Sequence, residues 1–218
     1  MLVIATSNEH KVEEISSWLA ALVGRALSVR GAATLPQGPA PEETGETFLE
    51  NASIKARACA ARASMLPPDE RPDWVVADDS GLEVDALDGA PGVRTRRFAG
   101  PNATDTDNNS RLLAALEGLP PERRGARYVC VLALALPGAG ARPRAAVRMR
   151  VVRGTTRGRI ATGPRGTGGF GYDPIFEPEG EPPGGRTFGL WSAEAKNAIS
   201  HRGRAARRMT PILRELGF

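Results

Sequence analysis

The sequence predicts an α/β fold with a mixed β-sheet flanked by helices, and three observations carry that expectation. Short runs rich in Val, Ile, Leu and Ala alternate with segments of helical periodicity. Two long apolar runs late in the chain are close enough to pair as a hairpin, which brings an antiparallel element into the sheet. No Pro/Gly-rich stretch is long enough to be a linker, so residues 1–218 read as a single domain.

The opening LVIAT is an apolar β-type run, and after a polar loop Val12, Ile15, Leu19 and Leu22 recur at helical spacing: strand, loop, helix. Thr47-Phe-Leu-Glu50 is a capping box, in which the hydroxyl and the carboxylate each serve a backbone N–H that the helix itself leaves open. The buried side of that helix is expected at Leu49, Ala52, Ala56, Cys59 and Ala63, with Asn51 and Lys55 sharing another face. DWVVADDSG reads as a strand ending in acid and SGLEVDAL as a second short strand. DTDNNSRLLAALEGL is a helix, followed by RYVCVLALAL and AAVRMRVV as strands joined across residues 137–144. From about Ser192 to Leu216 the pattern is helical, with Gly203 and Pro211 expected to break or kink it.

At 218 residues and 23.1 kDa the chain can bury a core without disulfide or metal staples. It is 41% apolar and 25% charged, and no run approaches the roughly 18 apolar residues of a membrane span. MLVIATSNEHK has none of the features of a secretory signal, and Cys59 and Cys130 lie in apolar runs; a cytoplasmic protein with buried thiols and no membrane partner is expected. Neither the two cysteines nor the two histidines by themselves supply the four Cys/His ligands usual for a structural zinc site, so a metal is expected on carboxylates. A net charge of +4 and a pI near 9.6 favour an anionic partner, nucleic acid or a phosphorylated small molecule. Only three of the 29 basic residues are lysines, at positions 11, 55 and 196. In so Arg-rich a chain they mark positions suited to a compact ammonium.

Four segments have the composition of a site. Thr6-Ser7-Asn8-Glu9-His10-Lys11 falls between a strand and a helix, where unpaired N–H groups and the helix dipole attract phosphate; plain N-capping by Ser7 or Asn8 is the alternative. Asp78-Asp79-Ser80-Gly81 ends an apolar run, where a carboxylate can hold Mg²⁺ or activate water, with Glu42 or Glu43 as the further acid; an Asp-Ser-Gly turn is the alternative. GPRGTGGFGYD, 163–173, combines five glycines with Phe170 or Tyr172 as a ring to stack on a planar base, or forms a glycine-rich turn over core aromatics. In Lys196-Asn197-Ala-Ile-Ser200-His201-Arg202, capping by Ser200 would put Arg202 in a first helical turn, where the dipole disfavours a cation and an anionic or carbonyl ligand would compensate; a helix that begins at Ser192, with His201 as a structural histidine, is the alternative. No G-x-S-x-G elbow and no Cys-His neighbour pair suggests covalent catalysis.

Together, TSNEHKVEEI, ETGETFLENASIKA, ADDSGLEVDALDGAPGV, GTGGFGYDPIF and KNAISHRGRA resemble, in order and spacing, the signature blocks of the noncanonical purine nucleoside triphosphate pyrophosphatases, the inosine triphosphatase or Ham1-like family. The resemblance covers nearly the whole chain and absorbs all three lysines. It implies a long mixed sheet in two lobes with the active-site cleft between them, a homodimer, and Mg²⁺-dependent hydrolysis of ITP, dITP and XTP to the monophosphate and pyrophosphate. Carried over residue by residue, it sets the triphosphate against Thr6, Ser7, Asn8, Glu9, His10, Lys11 and Lys55. Asp79 becomes general base and metal ligand, Glu43 the second metal acid, and Asp78 joins Asp79 and Lys55 in the catalytic group. Ser80 contacts substrate, and the base lies against Phe170, Gly171, Tyr172 and Asp173 with Lys196, His201 and Arg202 at its edge. Arg94-Thr95-Arg96-Arg97 and Glu9-His10 depart from the family's pattern. Two other readings remain at this level: a pyrophosphatase for other modified nucleotides, and a basic nucleic-acid-binding module. The eleven aromatics are not interleaved with the basic stretches as a stacking platform requires, so no stable nucleic-acid partner is expected.

Overall fold

A computed structural model describes residues 1–6, 9–23, 28–138 and 149–218. Its strands are β1 (Leu2–Ile4), β2 (Val29–Gly31), β3 (Trp74–Val84), β4 (Gly125–Ala135), β5 (Met149–Ile160) and β6 (Phe176–Pro178). Its helices are α1 (Glu9–Val23), α2 (Phe48–Ala63), α3 (Asp105–Ala115), α4 (Ala193–Ile199) and α5 (His201–Glu215). The six strands form one sheet in the order β2-β1-β3-β4-β5-β6. β1 runs parallel to both β2 and β3, with Leu2 opposite Val29 and Trp74, whereas β5 and β6 are antiparallel, with Ile160 opposite Phe176. The sheet is therefore mixed, as expected, and its antiparallel pair of β5 with β6 involves a short strand outside the expected elements.

The chain divides into two compact units. The first comprises 1–79, 131–153 and 205–218; among its fully buried side chains are Leu2, Ile4, Ile15, Leu19, Val75, Val76, Leu134, Met209 and Leu213. The second comprises 80–130 and 154–204, with a core cluster that includes Leu82, Val84, Leu112, Leu116, Tyr128, Ile160, Ile175, Phe176 and Phe188. The rings of Tyr128, Phe176 and Phe188 lie with centroids 4.6 and 5.2 Å apart along that series, within the range of favourable aromatic pairs.

α2 begins at its expected box: Thr47 Oγ1 accepts from the Glu50 N–H and Glu50 Oε2 accepts from the Thr47 N–H. Its buried face differs from the expected one at one position. Leu49 is half exposed while Phe48 is buried, because the first turn enters the core one residue earlier than the alanine spacing suggests. Thr104 and Asp107 form a second capping box at the start of α3.

Three boundaries differ from expectation. β3 is one continuous eleven-residue strand through Asp78-Asp79-Ser80-Gly81, with no turn there. Its aspartates are buried, so this segment is placed by its environment and not by the turn propensity of Asp, Ser and Gly. Residues 145–148 of the expected strand lie outside the described residues; β5 runs over Met149–Ile160, past the expected end at 152, since its Arg- and Thr-rich second half pairs through Gly158, Arg159 and Ile160 with β6. The C-terminal helical stretch breaks at Ser200, whose extended backbone and Oγ, accepting the Gly203 N–H at 3.1 Å, start α5 afresh. Gly203 lies inside α5 for steric reasons: a Cβ there would sit 2.2 Å from Asn197 O. Pro211 also lies within α5.

Candidate active site

The first unit brings an acid–base cluster to the middle of α2 and β3. Lys55 projects from α2 eight residues after its Thr47 cap, and its Nζ donates to Asp79 Oδ1 at 2.6 Å. Glu43 Oε1 lies 3.5 Å from the same ammonium, which selects Glu43 and not Glu42 as the acid that joins this cluster. Glu43 is carried by the segment ahead of the helix, and the turn between them is fixed by the Gly45 N–H donating to the buried Asn51 Oδ1 at 2.8 Å.

Burial raises the Asp79 carboxyl to about 6; the Lys55 ammonium pulls it down, and the nearby charges of Glu43 and Asp78 push it up again. For Lys55, burial alone would lower the ammonium, but Asp79, Glu43 and Asp78 outweigh it, and its pKa is raised. A lysine that stays charged thus faces a buried aspartate whose carboxyl is more basic than usual, with Glu43 beside it.

Among the described residues no group of three or more His, Cys, Asp or Glu is arranged to hold a metal. Mg²⁺ does not require one, because it is commonly held by one or two carboxylates together with substrate phosphates and water. Asp79 and Glu43 converge on one point, marked by the Lys55 ammonium, and as hard-oxygen donors they fit that role.

Thr6, also in the first unit, follows β1, and its carbonyl accepts from the Ala32 N–H at 3.2 Å. Glu9, His10 and Lys11 form the first turn of α1, though their side chains lie outside the described part. Ser7 and Asn8 lie outside the described residues altogether.

The second unit assembles the other residues around Asp173. Lys196 of α4 donates from Nζ to Asp173 Oδ2 at 2.5 Å, and the Phe170 N–H donates to the same oxygen at 2.9 Å. The Lys196 ammonium also lies 4.7 Å from the centroid of the Phe170 ring, and the Arg202 guanidinium carbon lies 5.0 Å from it. Arg202 Nη2 donates to Ser80 Oγ at 2.8 Å. His201 stacks on Tyr128 at 4.6 Å, the rings 8° from parallel. Lys196, His201 and Arg202 are all buried, and Ser200 does place Arg202 in a first helical turn.

The two aromatic candidates separate clearly. Phe170 is 47% exposed, whereas Tyr172 is buried and its hydroxyl donates to Thr95 O at 2.8 Å. Phe170 is the ring that stays partly exposed, and Tyr172 ties the glycine-rich segment to 92–97. Gly171 is held at both ends of its residue: its N–H donates to Asp105 Oδ2 at 2.6 Å and its carbonyl accepts from Asn109 Nδ2 at 3.0 Å. Asp105 and Asn109, four apart on α3, were legible only as a polar helix face. Tyr128, inside an apolar strand run, carried no signal beyond its hydroxyl.

The Ham1 family model matches residues 2–212. The dITP/XTP pyrophosphatase of Streptomyces coelicolor is 46% identical over 215 residues, 99% of this chain and 98% of that protein. The dITP/XTP pyrophosphatase of Geobacillus kaustophilus is 46% identical over 94% of this chain and 89% of its own length. Among solved structures, a HAM1 protein from Coxiella burnetii matches with a TM-score of 0.77 at 37% identity, covering 98% of each chain. The nucleoside-triphosphatase / dITP/XTP pyrophosphatase of Mycobacterium abscessus matches with a TM-score of 0.74 at 38% identity, covering 97% of this chain and 98% of the other. With a family model spanning nearly its whole length and relatives of this identity at both the sequence and the fold level, the chain belongs to the Ham1 family.

Proposed function

We propose that this protein hydrolyses the triphosphates of 6-oxo purines, dITP, ITP and XTP, to the nucleoside monophosphate and pyrophosphate. The observation that supports it most directly is the Glu43–Lys55–Asp79 cluster, a basic carboxylate held beside a charged ammonium, in a chain whose relatives are named dITP/XTP pyrophosphatase. Asp79 is the general base. A carboxyl raised to about 6 is ionised at neutral pH yet basic enough to take a proton from an attacking water. Lys55 orients that carboxylate and offsets phosphate charge, and Asp78 adds negative charge that keeps Asp79 basic. Asp79 and Glu43 would hold Mg²⁺, which when bound neutralises phosphate charge and polarises the phosphoryl oxygens. The positive end of α1, with Ser7 to Lys11, binds the triphosphate.

Base selection falls to the Asp173 cluster. Phe170 offers its exposed ring for stacking, and Lys196 and Arg202 supply donors suited to a 6-keto oxygen. A 6-amino group would meet donor with donor and leave buried polar groups unpaired, which is how such a site rejects adenine. The reading further takes the protein to be a cytoplasmic homodimer, which light scattering on the purified chain tests.

The deciding experiment is pyrophosphate release from dITP, XTP, ATP, GTP and dTTP, with Mg²⁺ and with EDTA, alongside Asp79→Asn. Metal-dependent release confined to dITP and XTP and lost in the variant is the expected result. Equal turnover of ATP and GTP overturns the base selectivity, and no turnover of any substrate overturns the hydrolase.

A further inference from the structure

We propose that Tyr128 is a positioning residue for base recognition, holding the Asp173 carboxylate and the His201 ring in one fixed arrangement. The inference rests on the reading of the Asp173 cluster as the base site. Tyr128 sits on β4 and is 7% exposed. Its hydroxyl donates to Asp173 Oδ1 at 3.3 Å, while Asp173 Oδ2 accepts from Lys196 Nζ and the Phe170 N–H. Both oxygens of the carboxylate are thereby engaged, by donors from β4, α4 and the glycine-rich segment. Remove the phenol, and Oδ1 loses this hydrogen bond, so that the carboxylate is held through Oδ2.

The ring of the same tyrosine performs a second task. It stacks on His201 at 4.6 Å with planes 8° apart and is backed by Phe176 at 4.6 Å. The imidazole plane is therefore set by Tyr128, so the histidine presents a fixed edge. Packing alone does not call for a hydroxyl here. Phenylalanine fills nearly the same volume without burying a polar atom, and burying one is unfavourable unless it is hydrogen-bonded. Burial and the neighbouring Asp173 charge push the phenol well above its ordinary pKa, so it remains a donor throughout the working pH range.

The test is Tyr128→Phe, which keeps the ring stack and deletes the donor, compared with the wild-type protein on dITP and dATP. The KM for dITP is expected to rise about fivefold with kcat within about twofold, and the preference for dITP over dATP to fall by a similar factor. Introduced into an Asp173→Asn background, the same change is expected to add nothing to KM, because the two residues act as one unit. An unchanged KM and preference in Tyr128→Phe overturns the proposal, as does a loss confined to kcat, which a merely structural role would give. If the variant is too unstable for steady-state kinetics, titration of inosine monophosphate onto its folded fraction gives the same contrast: about fivefold weaker binding supports it and equal binding overturns it. A wild-type protein that does not turn over dITP overturns the base-site reading itself. Wild-type turnover with an indifferent Tyr128→Phe overturns only the role of Tyr128.

Discussion

Lys55 Nζ lies 2.6 Å from Asp79 Oδ1, a contact that ties the middle of α2 to the middle of β3 across 24 residues of sequence. The pair is not a symmetric ion pair. Burial, with the charges of Glu43 and Asp78, leaves Asp79 more basic than an ordinary aspartate, while Asp79 itself, together with those two carboxylates, holds Lys55 charged.

Asp79→Asn keeps the size of the side chain and removes its ability to accept a proton. With dITP and Mg²⁺ at neutral pH, kcat is expected to fall on the order of 10²- to 10⁴-fold, the usual contribution of a positioned general base. Steady-state pyrophosphate release measures it, and a fall of less than about tenfold would remove Asp79 from that role.

Metal-free stability should record the titration of Asp79. Its carboxyl binds a proton more tightly in the folded state, near 6, than its ordinary value of 3.8 allows in the unfolded chain. The stability it contributes is therefore fully present below about pH 4 and lost as pH rises through about 6. Urea unfolding in EDTA, wild type against Asp79→Asn, should shift against the wild type by on the order of 2 to 3 kcal/mol between pH 4 and 7. A difference that is flat with pH, or that moves the other way, contradicts the raised carboxyl.

Gly169→Ala should strike the Asp173 cluster without entering the core. Gly169 has φ +74°, and a Cβ there would lie 2.1 Å from Asp173 Oδ2. Displacing that oxygen disturbs the acceptor shared by Lys196 and the Phe170 N–H. The expected outcome is a loss in kcat/KM for dITP on the order of 10- to 100-fold, with a folded protein by circular dichroism.

Glu177 supports the same segment from behind. It is 2% exposed, and its carboxylate accepts from Arg159 Nε at 2.8 Å, from Arg165 Nη2 and from the Gly184 N–H at 3.0 Å. Glu177→Ala leaves two arginines without their carboxylate and is expected to cost about 3 kcal/mol, read from denaturant unfolding. A loss under about 0.5 kcal/mol would show that the arginines find other partners.

By itself the sequence determined what short-range chemistry determines. The Thr47–Glu50 box, the helix over 105–115 and the motif blocks that identify the family are patterns of neighbouring residues, and their hydrogen bonds close within three or four positions. Asp79 and Lys55 were legible as chemistry because of residue type and context. Only the tertiary structure decided that Glu43 and not Glu42 joins them, that Phe170 and not Tyr172 keeps an open ring, that β3 runs unbroken through Asp78 to Gly81, and that Leu49 faces outward. These depend on burial and on partners beyond the reach of a local motif: Lys55, twelve residues from Glu43, and Thr95, 77 residues from Tyr172. A residue's environment in the folded chain sets its exposure and basicity, and that environment is built by long-range packing that local propensity does not encode.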